Sequence, residues 1–236
     1  MIKLNHNSVY KKYANQSIDW CPMDTEILYR QNLKNNYNIL HSNGWINANF
    51  KYTFNSVGFR SEEFTDKPSI MFLGCSYTMG IGLPVNTVWS ELVSKQLNLH
   101  CANLGIGGGS NDTSFRLCHG WLDKINPKLV IFLSPPGHRL ELVNNHIIKL
   151  IGPYTTEYKD FLHRWNWDDN NDYFNSLKNE LAIKSLCNSR NIKYVHFSAE
   201  TLHGMMVDVA RDLTHVGPKT HQLFADYVLT NIDASE

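Results

Sequence analysis

Three short stretches of this chain carry residue types that could together perform acyl transfer. A serine stands in SIMFLGCSYTMGIG (69–82), where an apolar run ends in glycine and small residues follow. Glycines 105, 107, 108 and 109 crowd into NLGIGGGSND (103–112). Near the C-terminus, DLTH (212–215) sets Asp212 three residues before His215. A serine hydroxyl is a weak nucleophile until an adjacent base takes its proton, and an imidazole serves best when a carboxylate orients it. Asp212 and His215, three apart on one loop, can hydrogen-bond without help from distant sequence. A glycine-rich loop supplies exposed backbone N–H groups where charge develops.

Each piece also has a plainer reading. A serine after a strand caps a turn or helix, a triple glycine makes a flexible turn or a phosphate loop, and Asp212 could simply cap a turn. The glycines are not in the usual G-x-G-x-x-G register, and no acidic residue ends the following strand to hold a ribose, which argues against a dinucleotide. What distinguishes the catalytic reading is the placement of all three pieces.

From residue 67 short apolar runs alternate with amphipathic stretches. SIMFLG (69–74), LHCANLG (99–105), KLVIFLS (128–134) and IKYVHFS (192–198) read as strands, the third apolar throughout and so buried on both faces. TVWSELVSKQL (87–97) places Val88, Trp89, Leu92, Val93 and Leu97 on one helical face. NDTSFRLCHGWLDKI (111–125), SLKNELAIKSLC (176–187) and PKTHQLFADYVLTNI (218–232) also read as helices, the last with Pro218 in its first turn. This alternation predicts an α/β fold with a central parallel sheet and helices on both faces. In such sheets ligands collect beyond the carboxyl ends of the strands. Ser76, the glycine loop, SPPGHR (134–139) and the DLTH loop all fall there.

GCSYTMG, NLGIGGGS and the C-terminal DLTH resemble blocks I, II and V of the SGNH (GDSL-type) hydrolase superfamily. The resemblance spans residues 67–236, and the lead-in NSVGFR (55–60) resembles bacterial and phage members with an N-terminal extension. It implies a three-layer flavodoxin-like fold and an esterase, lipase, thioesterase or carbohydrate deacetylase. Carried over by motif, Ser76 is the nucleophile, His215 the general base and Asp212 its orienter. The oxyanion hole comprises the N–H of Ser76 and that of Gly108, with Gly107 the fallback. Block I usually reads G-D-S, and Cys75 replaces its aspartate here. Cys75 as a rival nucleophile is the weaker reading, because its side chain should point opposite to Ser76, into the core.

Block III departs further. The family's G-x-N-D asparagine, a third oxyanion donor, should follow the third strand, where the chain reads Ser134-Pro135-Pro136-Gly137-His138-Arg139. Neither proline has an N–H. Asn111 could reach the hole from another direction, or Arg139 or His138 could substitute, Arg139 adding a charge suited to an anionic substrate. Alternatively the site is a relic and the chain only binds.

The rest of the chain sets the setting. Residues 1–66, rich in Asn, Tyr, Lys and Trp, lack clear periodicity and read as an extension lying over a main domain of residues 67–236, with a turn at Gly58. The aromatic insertion 154–174 reads as a lid or substrate wall, in which Trp165 and Trp167 could stack on sugar rings, or else as packing for the sheet. Lys+Arg and Asp+Glu balance at 22 each, so no charge excess argues for nucleic acid. Five cysteines without CxxC spacing read as reduced thiols in an intracellular protein, not a disulfide framework or zinc site. No signal peptide or membrane span is evident, which predicts a cytoplasmic protein. No metal or cofactor is expected, and His221 is placed on the exposed face of the last helix. The expected activity is hydrolysis of an ester, a small acyl group on a carbohydrate being the favoured substrate. Acyl transfer to a sugar by the same triad, and a non-catalytic carbohydrate-binding or structural module, are the rivals; the oligomeric state is left open.

Overall fold

The computed structural model describes residues 6–144, 147–165 and 169–232. Within the extension, β1 (Ser17–Ile18) pairs antiparallel with β2 (Tyr52–Thr53), and α1 (Glu26–Asn35) and α2 (Tyr37–Ser42) lie between them. These two helices escape a search for periodicity because α1 has no clean apolar stripe, its Ile27 standing exposed. Local devices hold it instead. Thr25 Oγ1 accepts the Leu28 N–H at its N-cap, and Glu26 pairs with Arg30 one turn on.

The remaining elements follow in chain order: β3 (Ser69–Leu73), α3 (Ser76–Met79), α4 (Trp89–Leu97), β4 (His100–Asn103), α5 (Asn111–Ile125), β5 (Leu129–Ser134), the hairpin β6 (Leu140–Asn144) and β7 (Ile147–Ile151), α6 (Lys159–Trp165), α7 (Asp169–Asn188), β8 (Lys193–Ser198), α8 (Ala199–Gly204) and α9 (Pro218–Asn231). Among the described residues the central sheet has four strands, in the order β4-β3-β5-β8, all parallel. Counted in chain order that is 2-1-3-4, the flavodoxin-like arrangement.

Alternation along the strands splits the core into two layers. Ile70, Phe72 and Ile131 face Trp89 and Val93 of α4 and Phe224 and Val228 of α9. Met71, Leu73, Val130 and Phe132 face Leu117 and Leu122 of α5 and Ile183 and Cys187 of α7. Burying each such large side chain stabilises the fold by about 1.5–3 kcal/mol, so both sheet faces are strongly specified. Ser110 and Thr113 close a capping box at the start of α5, which sets the point where the glycine loop becomes helix.

The structure corrects several expectations. A 3-10 turn occupies 85–87, α4 begins only at Trp89, and Leu97 lies partly exposed at its end. The β6–β7 hairpin was not anticipated, and α7 starts seven residues before the expected 176 because its first turns run into the insertion. His221 is buried, not exposed, its Nδ1 accepting the Trp89 N–H at 3.1 Å. The five cysteines are free and buried. Among the described residues no helix is long and apolar enough to cross a membrane.

Candidate active site

Strand β3 runs out at Leu73, Gly74 and Cys75 turn the chain, and Ser76 opens the four-residue helix α3. Cys75 is wholly buried, whereas Ser76 keeps 4% of its surface open. As the first helical residue, Ser76 has an N–H with no intrahelical acceptor, while its carbonyl accepts the Gly80 N–H at 2.8 Å. Asn103, at the end of β4, joins this turn to the glycine loop. Its Nδ2 donates to the Thr78 carbonyl at 2.7 Å, and its Oδ1 accepts the Gly105 N–H at 2.9 Å. Gly105 is needed at that point, since a Cβ would sit 2.5 Å from the Met79 nitrogen.

Asp212 and His215 are both buried on the loop before α9. His215 Nδ1 meets Asp212 Oδ2 at 2.5 Å, and Asp212 Oδ1 accepts the N–H groups of Thr214 and His215 at 3.2 and 3.1 Å. Both carboxylate oxygens of Asp212 are engaged, and a carboxylate facing Nδ1 of His215 favours the tautomer with its hydrogen on Nδ1, which leaves Nε2 as the basic nitrogen. Between them Leu213 adopts φ +57, a left-handed conformation that a bulky side chain adopts only under tertiary constraint. That constraint includes Gly82, whose carbonyl accepts the Arg211 N–H at 3.1 Å and whose absent Cβ would fall 2.8 Å from Ala210 Cβ. The same turn therefore carries Ser76 at one end and receives the DLTH loop at the other. Tyr77, next to Ser76, stands edge-on to the His215 ring at a centroid distance of 5.5 Å.

The glycine loop is gripped from two sides by phenols. Tyr10 of the extension donates to the Gly107 carbonyl at 3.5 Å, and Tyr154 of the insertion donates to the Gly108 carbonyl. In a trans peptide C=O and N–H point opposite ways, so holding the Gly107 carbonyl aims the Gly108 N–H to the other side. Gly108 sits at φ +74, a conformation natural to glycine. Burial raises the pKa of both phenols, which keeps them protonated donors.

The other sequence-derived candidates occupy varied positions. Asn111 is wholly buried and directs its amide hydrogens to the Pro135 carbonyl at 3.0 Å and Ser176 Oγ at 3.2 Å, so it braces the double-proline segment. Arg139 lies on the loop from β5 to β6 with Nε and Nη1 buried and unpartnered. His138 contacts Asp172 at 3.8 Å, and burial lowers its pKa. Trp165 packs against the small cluster of Leu140, Ile151 and Leu162 and stacks on Phe161 at 6.3 Å. Trp167 lies outside the described residues. No group of three His, Cys, Asp or Glu side chains among the described residues is arranged to hold a metal ion.

Strand order, the serine after the first core strand, the glycine loop after the second and the Asp–His loop before the last helix are now in place together. The fold is the three-layer, flavodoxin-like one implied by the SGNH resemblance. No family model and no curated protein matches the sequence. Solved structures similar to this chain include the psychrotrophic esterase EstA from Pseudoalteromonas sp., 13% identical with a TM-score of 0.43 over 70% of this chain and 97% of that one. TesA is 12% identical with a TM-score of 0.41, over 71% and 99% of the two chains. A two-domain esterase (CEX) active on acetylated mannans is 17% identical with a TM-score of 0.37, over 71% and 49%.

Sequence reasoning missed Tyr10, Tyr154, Asn103 as a tie, and Arg60, which donates to the Met79 carbonyl at 3.2 Å and the Leu83 carbonyl at 2.6 Å. Arg60 lies in the NSVGFR stretch that already stood out; nothing marked the two tyrosines, which contact the loop across 97 and 46 residues.

Proposed function

We propose that the chain is a serine ester hydrolase in which Ser76 attacks the acyl carbon. His215 Nε2 takes the hydroxyl proton and returns it to the leaving alcohol, leaving an acyl-enzyme that water then hydrolyses by the same route. Asp212 holds the imidazole and stabilises its cation. The N–H groups of Ser76 and Gly108 face the developing oxyanion, each such donor contributing about a hundred- to a thousand-fold in rate. The observation that carries this reading is the buried 2.5 Å contact of His215 with Asp212, on a loop docked against the turn that bears Ser76.

A carbohydrate is the proposed alcohol part. Its support is the set of exposed rings in and beside the insertion, Tyr154, Phe161, Tyr173 and Phe174. Tyr173 also lines a cleft of about 410 Å³ beyond the ends of β5 and β8, with His138, Asp172 and Ser176. The double-proline segment favours the rival, a binding module without turnover, because it lacks the asparagine whose side chain the family uses as a third donor, and neither proline has an N–H to replace it.

A fluorophosphonate probe and p-nitrophenyl acetate test the proposal. Labelling and turnover that both vanish in Ser76→Ala establish the nucleophile; an unlabelled, inactive wild type leaves the binding module. Product analysis with a sugar acceptor separates hydrolysis from transfer.

A further inference from the structure

The loop between β5 and β6 holds a cation that has no ion pair among the described residues. Arg139 is fixed at its backbone, its N–H donating to the Pro136 carbonyl at 3.2 Å and its carbonyl accepting Asn175 Nδ2 at 3.2 Å. Two residues on, Glu141 takes Arg116 in a buried two-pronged pair at 2.5 and 3.0 Å, which pins the start of β6. The Arg139 side chain thus leaves a rigid base, yet its Nε and Nη1 are buried with no hydrogen-bond partner. Arg116 is paired with Glu141 and Arg211 with Asp24 at 2.7 Å, while Arg60, whose Nε is also unpartnered, gives its terminal donors to the Met79 and Leu83 carbonyls.

Among the described residues no carboxylate forms an ion pair with Arg139: Glu141 holds Arg116, and Asp172 approaches His138 at 3.8 Å. Leaving two donors of a charged group buried without acceptors costs free energy, and a ligand that accepts from both removes that cost. Its location points to the ligand. Burial raises the pKa of the Tyr77 and Tyr154 phenols, and the Arg139 charge offsets part of that rise at both. Tyr77 is the ring against His215, and Tyr154 is the ring on Gly108. Arg139 also follows β5, whose Phe132 pairs with Leu73 of β3, and Asn111 at the end of the glycine loop holds the Pro135 carbonyl, so Arg139 leaves the same sheet edge as Ser76 and the glycine loop.

We propose that Arg139 is an anion subsite of this active site and receives a carboxylate or phosphate carried by the ester substrate. The planar fork of a guanidinium binds either group through paired N–H donors. The substrate class narrows accordingly to anionic esters. The location of the subsite rests on the serine-hydrolase reading; the binding does not.

The test uses full-length Ser76→Ala protein, which needs no turnover, titrated calorimetrically with succinate and with inorganic phosphate. At least one of them binds at a single site, and Arg139→Gln weakens that binding tenfold or more. Arg139→Lys, which keeps the charge and loses the fork, falls between; circular dichroism verifies that both variants fold. Equal affinity with and without Arg139, or no binding of either anion, overturns the proposal. In the wild type, the bound anion also slows fluorophosphonate labelling of Ser76, and labelling that proceeds unslowed at saturating anion places the anion elsewhere and overturns it too. Failure of all labelling sinks the hydrolase reading alone, because the calorimetric comparison still decides the subsite.

Discussion

Arg211 and Asp24, 187 residues apart in sequence, form a buried ion pair at 2.7 Å immediately beside Asp212. The Arg211 guanidinium also lies over the rings of Trp20 and Phe50, at 4.1 and 3.9 Å. Tyr52 completes the link, donating to Asp24 Oδ2 at 2.5 Å while its oxygen accepts the Gly82 N–H at 2.8 Å. Residues of the extension thus hold both loops that frame the candidate triad, the DLTH loop through Arg211 and the turn after Ser76 through Gly82.

Asp24→Ala leaves the Arg211 charge buried and unpaired, which costs about 3–5 kcal/mol of stability. The midpoint of urea unfolding falls accordingly. Because Arg211 adjoins Asp212, kcat for p-nitrophenyl acetate falls as well under conditions where the variant is still folded. An unchanged kcat in folded protein would confine the pair to a purely stabilising role.

Asp212→Asn keeps an acceptor for the Thr214 and His215 amides but presents an N–H₂ or a neutral oxygen to the imidazole. The tautomer with a free Nε2 is then no longer enforced, and kcat drops by about a thousand- to ten-thousand-fold. Stopped assays on purified variant check this, and a drop of less than tenfold would remove Asp212 from the mechanism.

Tyr10→Phe deletes one hydroxyl and with it the hold on the Gly107 carbonyl. Losing a neutral hydrogen bond of about 1 kcal/mol slows turnover about fivefold, as a kcat effect with KM little changed, since the Gly108 N–H is proposed to act chiefly in the transition state. A change confined to KM would place Tyr10 in ground-state binding instead.

Burial lowers the His221 pKa to about 3, outweighing the pull of Asp208, with His215 and Arg60 adding to the lowering. The unfolded chain takes up that proton near pH 6.5, whereas the folded chain does so only near pH 3. Between those values the unfolded state binds more protons, so stability falls as pH falls, by up to about 1.4 kcal/mol per pH unit from this group. His221→Gln, which retains an acceptor for the Trp89 N–H, flattens the dependence. Urea titrations at pH 7, 6, 5 and 4 read the difference, and parallel curves for the two proteins would assign the acid sensitivity to other groups.

The strands and most helices were legible because their information is local. Alternating apolar residues in SIMFLG, the continuous run KLVIFLS and the Pro218 start of the last helix specify elements whatever lies beside them. The Asp212–His215 contact is local too, being closed within one turn of chain. Asn111, Trp165 and His221 were harder. Their types admit either a functional or a packing role, and only the neighbours turn Asn111 toward Pro135, Trp165 toward Phe161 and His221 into the core.

By itself, then, the sequence determined the order of elements, the sheet edge at which Ser76, the glycine loop and the DLTH loop end, and the pairing of Asp212 with His215. Tertiary structure alone decided that Asp24 meets Arg211, that Tyr10 and Tyr154 grip Gly107 and Gly108, and that Arg139 buries two unpartnered donors. The physical reason is range. A hydrogen bond or ion pair acts only at contact, and which residues come into contact across a hundred positions is set by how the layers pack, not by spacing along the chain.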